Sequence, residues 1–300
     1  MGDLEVFLEL RSSLFGVAYR MLGSATEAED VLQEAYVRWS RRAGDAVSAP
    51  SSYLTTIVTR LCIDQLRSAR ARRELYKGPW LPEPVAVDVP EPGESAEIAD
   101  SLSLAFLVLL EELQPVERAA FLLHDVFGYP YEEISGIVDR TEASCRQLVS
   151  RARRRVDAPR RRFDADHAHG RELTRRFLVA CGTGDLEGLL SLLADDVVVW
   201  TDGGGKVRAA LRPVTGPHRA ARFLLSVSAR TPAGVATREV DLNGRPGVVF
   251  ETEGRVSIAL TLDIADDHVV AVRVVTNPDK LVALQPEHRG DLSGPLRASW

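Results

Sequence analysis

From Leu113 to Val156 the chain reads LQPVERAAFLLHDVFGYPYEEISGIVDRTEASCRQLVSRARRRV. Two short amphipathic helices around a tight break precede a third, strongly basic helix. Pro115 suits a first helical position, Gly128 suits the end of the helix that follows, and Tyr131 opens a helix whose apolar residues are Ile134, Ile137 and Val138. Asp139 and Arg140 make the turn. In the last helix Cys145, Leu148, Val149, Ala152 and Val156 recur at helical spacing and form one buried stripe. Ser144, Arg146, Gln147, Ser150, Arg151 and Arg154 are left facing outward. Arginine and glutamine read base edges bidentately in a major groove, and the neighbouring Arg153 and Arg155 suit phosphates. This is the outline of a helix-turn-helix aimed at DNA; the plainer alternative is a basic helix that faces only solvent.

The chain has 300 residues, 45% of them hydrophobic and 27% charged, enough for two or three domains with real cores. Its formal net charge of -6 excludes a basic nucleic-acid coat, so DNA contact falls to local patches. One patch comprises Arg60, Arg67, Arg70, Arg72, Arg73 and Lys77; a denser one runs from Arg140 to Arg162. Cys62, Cys145 and Cys181 lie far apart in apolar helical patterns, which points to reduced core thiols, and no metal or cofactor site is expected. No signal-like amino-terminal segment is present, and the longest apolar run, near Leu102 to Leu110, is too short to span a membrane. The expectation is a cytoplasmic protein with no membrane partner.

Residues 3 to 75 read as helical, with loop signals near Gly23-Ser24 and from Gly44 to Pro50. Ser24 and Glu27 make a capping box. The helix that follows buries Leu32, Ala35, Tyr36 and Trp39 and shows Asp30, Gln33, Glu34 and Arg38 on its other face. After Pro50 a helix carries Leu54, Ile57, Val58 and Leu61 inward, with Thr55, Thr56, Thr59, Arg60, Asp64 and Arg67 expected outward. Hydroxyls and arginines on one face suit a nucleic-acid strand, although an ordinary solvated surface has the same pattern. Between Gly78 and Gly93 five prolines exclude helix or central strand and define a linker. Trp80 and Leu81 in that linker are expected to dock into a groove rather than stay in water. A second helical unit then runs from about 95 to 158.

The last region differs in kind. Residues 171 to 195 read as helix, and strands are expected at 197–200, 206–212, 235–242, 247–254, 255–264 and 268–276, interrupted by a helix from Pro217 to Arg230. Helices on one side of a curved, mostly antiparallel sheet make an α+β domain. The tail from Gln285 to Trp300 lacks periodicity and is expected to be mobile.

The first half resembles the extracytoplasmic-function (ECF) sigma factors of bacterial RNA polymerase. The likeness rests on AEDVLQEAYVRW (Ala28 to Trp39), YLTTIVTRLCIDQLRSAR (Tyr53 to Arg70) and the helix-turn-helix quoted above. WLPEP (Trp80 to Pro84), DGGGK (Asp202 to Lys206) and NPDKL (Asn277 to Leu281) look like the signature blocks of the subgroup with a SnoaL-like carboxy-terminal extension. The resemblance implies sigma domain 2 at 1–76, a linker at 77–95, sigma domain 4 at 96–160, a SnoaL-like domain at 166–284 and a tail at 285–300. It implies two all-α sigma domains followed by an α+β curved-sheet domain, and a promoter-specificity subunit whose partners are RNA polymerase core and promoter DNA. Asp30, Gln33 and Glu34 match the core-binding helix. Thr59, Arg60, Asp64 and Arg67 match the stretch that engages the opened -10 strand, with Arg60 standing where many members have asparagine. Glu142, Ser144, Cys145, Arg146, Gln147 and Arg151 match the -35 recognition helix, with Arg146, Gln147 and Arg151 expected to touch DNA, Cys145 on the inward stripe, and Ser150 and Arg154 on the same outward face.

SnoaL-like folds include enzymes that use a pocket carboxylate or histidine as base, which marks Asp202, His218 and Asp263 for inspection. No paired acid-base constellation is visible, and no catalytic residue is expected. The glycines of DGGGK permit a tight turn that projects Lys206, and Pro278 and Asp279 suit a rigid turn. The expectation is regulation in cis, with Trp80, Leu81, Asp202, Lys206, Asn277 and Asp279 forming an interdomain contact and a small ligand in the sheet's cavity as an optional bias. A conventional helix-turn-helix regulator and a DNA-binding module fused to a small-molecule enzyme remain the rival readings.

Overall fold

Asp3–Leu22 (α1) and Ala25–Ser40 (α2) form a helical hairpin because Gly23 takes a left-handed conformation at φ 67° and Ser24 caps the next helix, its hydroxyl accepting from Glu27 N at 3.0 Å. In this computed structural model, described for residues 2–42, 47–86, 101–157, 167–232 and 234–286, the chain divides into two compact units. The first holds α1, α2, Pro50–Glu74 (α3) and the helices Leu104–Leu110 (α4), Pro115–Phe121 (α5), Tyr131–Val138 (α6) and Glu142–Asp157 (α7). Leu14, Tyr19, Leu32, Trp39, Leu54, Val58 and Cys62 are fully or almost fully buried where the first three helices meet. Helix α5 continues through a π-helical turn, Leu122–Val126, and stops at Gly128, whose φ is 68°.

The two helical regions of this unit pack on each other. Arg118 donates to Met21 O at 2.7 Å, placing a cation on the carboxy-terminal carbonyls of α1, and to Glu111 Oε1 at 2.8 Å. Burial lowers the Arg118 guanidinium to about 9 and that of Arg20 to about 10, so both stay charged at neutral pH. Arg20 donates to Ser101 Oγ at 3.0 Å and lies over the Phe127 ring.

The second unit comprises residues 76–86 with His167–Thr183 (α8), Leu186–Leu192 (α9), Pro217–Ser228 (α10) and a six-stranded sheet. The strands are Leu193–Asp202 (β1), Val214–Thr215 (β2), Ala236–Leu242 (β3), Arg245–Thr252 (β4), Arg255–Ala265 (β5) and His268–Val275 (β6), in the order β2-β1-β6-β5-β4-β3. All neighbours are antiparallel except β1 and β6, because the last strand inserts between the first and β5. Leu173, Phe177, Leu189, Val197, Leu224, Leu262 and Val272 interlock between helices and sheet.

Three expectations are corrected here. The helix expected at 171–195 is two helices, broken at Gly184 with φ 75°, and its last residues belong to β1. Residues 206–212 form no strand. Lys206 N and Val207 N turn back on Gly203 O, and Ala210 bonds the Thr201 side chain instead of a neighbouring backbone. The helix expected to reach Arg230 ends at Ser228. The second half of the linker, the start of the second helical unit and the tail beyond 286 lie outside the described residues.

Candidate nucleic-acid interface

Helices α5, α6 and α7 form the helix-turn-helix, with Asp139 in a left-handed conformation at φ 54° making the turn. Cys145, Val149, Ala152 and Val156 are completely buried, as their spacing predicts, and burial raises the Cys145 thiol. Arg146, Gln147, Ser150, Arg151 and Arg154 are exposed and Ser144 is half-buried. Arg146 is pre-oriented. It pairs with Glu142 at 2.7 Å, and its guanidinium lies 5.1 Å from the centroid of Tyr131, whose ring packs on His124 at 4.1 Å. Arg153 and Arg155, expected to pair with phosphates, instead bind Asp125 (2.7 and 2.8 Å) and Glu117 (2.6 Å), tying α7 to the helix that supports it.

On α2, Asp30, Gln33 and Glu34 are exposed on one acidic face, and Glu34 is bridged to Arg38 at 2.8 Å. Helix α3 departs from the expectation. Thr55 and Thr59, expected outward, are 2% and 0% exposed. The cause is α6, which lies across that face. Arg60 donates to Ile137 O at 2.9 Å and Gly136 O at 2.8 Å, satisfying carbonyls that the last turn of α6 leaves open. Thr55 Oγ1 bonds the Tyr129 hydroxyl at 3.1 Å, and Ser52 donates to Glu133 at 3.2 Å. Thr59 Oγ1 is buried with no hydrogen-bond partner among the described residues. Asp64 and Arg67 stay exposed and pair with each other at 3.2 Å.

In the second unit the residues expected to form a regulatory contact converge on Asp202, which is 0% exposed. Its carboxylate accepts from Tyr76 OH at 2.5 Å, Leu81 N at 2.8 Å, Gly204 N at 3.0 Å and Lys280 Nζ at 2.8 Å. Lys280 also donates to Leu81 O, and its ammonium sits 4.1 Å from the centre of the Trp80 ring and 5.0 Å from that of Tyr76. Asn277 donates from its backbone to Asp202 O at 2.9 Å and from its side chain to Tyr76 OH at 3.0 Å. Burial, then the hydrogen bond to Asp202, raises the Tyr76 phenol. Further along, Val85 exchanges hydrogen bonds with Asn243, which pins the linker at the β3–β4 turn. Leu81, Pro82, Glu83, Pro84 and Val85 are all buried.

Lys206 pairs with Asp279 at 2.6 Å, and both are more than half exposed. The glycines before Lys206 have distinct reasons: a side chain at Gly204 would collide with the Asn277 amide, and Gly205, at φ 72°, lies against Lys77. Tyr76, Asn243 and Lys280 were missed as functional residues in the sequence. Lys280 carried no distinguishing signal, since Lys206 lies in an equally turn-forming block and is exposed. The residues marked as possible bases are otherwise engaged or open to solvent: Asp202 is filled by four donors, Asp263 pairs with Arg273 at 2.5 Å, and His218 is exposed on α10.

The model of Sigma-70 region 2 matches residues 6–72, spanning α1 to α3, and that of Sigma-70, region 4 matches residues 103–156, spanning α4 to α7. The chain is 38% identical to the ECF RNA polymerase sigma factor SigJ of Mycobacterium tuberculosis over 96% of its own length and 98% of that protein's. The chain belongs to the ECF sigma factors. It is 32% identical to the probable ECF RNA polymerase sigma factor SigI of Mycobacterium tuberculosis over 93% of this chain and 95% of the relative. The crystal structure of Mycobacterium tuberculosis SigJ superposes with a TM-score of 0.75 at 34% identity, covering 94% of this chain and 99% of that one. This ECF sigma factor is therefore an alternative sigma factor that directs transcription, with core polymerase and promoter DNA as its partners, and its helical sigma domains precede a helix-plus-sheet, SnoaL-like domain. Among the described residues no helix is long and apolar enough to cross a membrane.

Proposed function

We propose that this sigma factor rests in a closed form in which the amino-terminal part of its -10 surface is engaged by its own helix-turn-helix, with Thr59 covered and Arg60 tied to α6, and that the second unit sets the closed-to-open balance in cis. The observation that carries this reading is the docking of Arg60 onto the Ile137 and Gly136 carbonyls. In the open form Thr59, Arg60, Asp64 and Arg67 engage the -10 strand. Ser144, Arg146, Gln147, Ser150, Arg151 and Arg154 read the -35 element, and Asp30, Gln33 and Glu34 dock on the polymerase clamp. The acidic face of α2 and the outward face of α7 are exposed in the closed form, so core polymerase and the -35 element reach the factor before α3 is freed. Two features support a poised switch. The hydrogen bonds between α3 and the helix-turn-helix are few and worth about 0.5–1.5 kcal/mol each, and the packing leaves the Thr59 hydroxyl buried and unsatisfied, a cost of about 1–3 kcal/mol. A bias of about 3 kcal/mol changes such a ratio more than a hundredfold.

The clasp around Asp202 holds the linker that follows α3, so any rearrangement there alters the tether between the two helical sigma domains. With the Asp202 carboxylate filled and Asp263 paired, the second unit acts as a regulator and not as an enzyme, and a small ligand in that unit is an optional bias on the balance. Promoter-directed work places the protein in the cytoplasm, and the boundaries 1–76, 77–95, 96–160, 166–284 and 285–300 follow the same division of labour.

The test locks the closed form. A Ser52→Cys/Glu133→Cys variant, bridged by a short cleavable bismaleimide, is added to core polymerase in reconstituted transcription. Initiation should fall at least tenfold while bridged and return on cleavage; undiminished initiation by the bridged protein would reject self-occlusion.

A further inference from the structure

The added domain contains a stretch with an unusual charge balance. From Gly203 to Arg238 there is no aspartate or glutamate, yet Lys206, Arg208, Arg212, Arg219, Arg222, Arg230 and Arg238 fall within it, in a chain whose formal net charge is -6. Lys206 pairs with Asp279 and Arg238 with Glu251. The other five arginines are exposed, and among the described residues none has an ion-pair or side-chain hydrogen-bond partner. Elsewhere exposed arginines of the helices are commonly paired, as Arg38, Arg67, Arg146, Arg153 and Arg171 are.

Local structure lines up three of these groups. Helix α10 turns Ala220, Ala221 and Leu224 toward the sheet, so Arg219, Arg222 and Ser226 fall on its outer face at helical spacing, with Arg230 just past its end. Arg208 and Arg212 sit in the loop that leads into β2 and α10. Five guanidinium groups without an ion-paired carboxylate give the segment a positive charge that nothing within it neutralises, and planar guanidinium forks match phosphate oxygens bidentately.

We propose that the outer face of α10 and the preceding loop form a sequence-independent docking surface for the phosphate backbone of the duplex that carries the promoter. The surface is built from other elements than the helix-turn-helix and α3, and it does not depend on the closed form proposed above. It gives the added domain a direct grip on DNA alongside its hold on the linker.

The test measures binding of polymerase holoenzyme to a promoter duplex and to an unrelated duplex by fluorescence anisotropy over a salt series. The full chain is compared with the variant in which Arg208, Arg212, Arg219, Arg222 and Arg230 are all replaced by glutamine. Each phosphate contact contributes about 0.9 to the slope of log affinity against log salt, so the variant's slope should be shallower by about 4–5 on both duplexes. Doubling the salt then costs the unaltered chain roughly twentyfold more affinity than it costs the variant. An unchanged slope overturns the proposal, and so does weaker association with core polymerase at unchanged slope, which would make the surface a protein contact. Thermal unfolding checks the fold of the variant; if it is compromised, R219Q/R222Q should lower the slope by about two, and no change would again overturn the proposal.

Discussion

Two lysines show how burial separates residues that the sequence treats alike. Lys280 is buried against Asp202, Leu81 O and two aromatic rings, whereas Lys206 is a surface partner of Asp279. Lys280→Met leaves the Asp202 carboxylate buried without its cation, so the second unit should lose about 3–5 kcal/mol, measured by urea unfolding followed through tryptophan fluorescence. Adding Asp202→Asn should recover part of that loss, since it removes the stranded charge. Lys206→Ala should cost less than about 1 kcal/mol in the same assay. Both lysines lie in legible sequence blocks, but the difference between them depends on a neighbour some seventy-odd positions away in sequence. A second prediction concerns Tyr131, the platform under Arg146. Tyr131→Leu should reduce discrimination at one -35 base pair several-fold while Tyr131→Phe retains it, because the ring face and not the hydroxyl meets the guanidinium; equal behaviour of the two in a binding assay with base-substituted duplexes would deny the platform its role.

Elements were legible where their own periodicity and caps decide them. Helix α2 begins at the Ser24 cap, α6 follows Pro130, and the β3–β4 and β5–β6 hairpins turn at Asn243-Gly244 and Asp266-Asp267, each with positive φ. The segment 206–212 misled because its alternation of apolar and basic residues imitates a strand, while the turn at Gly203 and the Thr201 side chain capture its backbone. Within that segment Gly205→Ala places a Cβ at φ 72° against the Lys77 side chain, so it should destabilise the loop by about 1–3 kcal/mol and speed amide exchange there. Helix α3 was read correctly as a helix and incorrectly as a free face. Tyr129→Phe removes the bond to Thr55 Oγ1 and should favour the open form by about 0.5–1.5 kcal/mol, seen as faster amide exchange in the first half of α3.

For the whole molecule, the proposed regulation in cis requires that the linker clasp influence transcription. Trp80→Ala removes the ring over Lys280 and should change the yield of reconstituted transcription without altering the helical content of the sigma domains; unchanged yield would exclude the clasp as a regulator. The sequence by itself determined the sigma-domain helices α2, α3, α6 and α7, the helix-turn-helix, the acidic face of α2 and the family, because caps, 3.6-residue periodicity and contiguous motifs are local properties. Tertiary structure alone decided that Thr55 and Thr59 are covered, that Arg153 and Arg155 pair with Asp125 and Glu117, and that Lys280 centres the clasp. Each of those depends on partners far away in the chain, and pairing energies among buried charges and hydroxyls exist only once folding has removed water from between them.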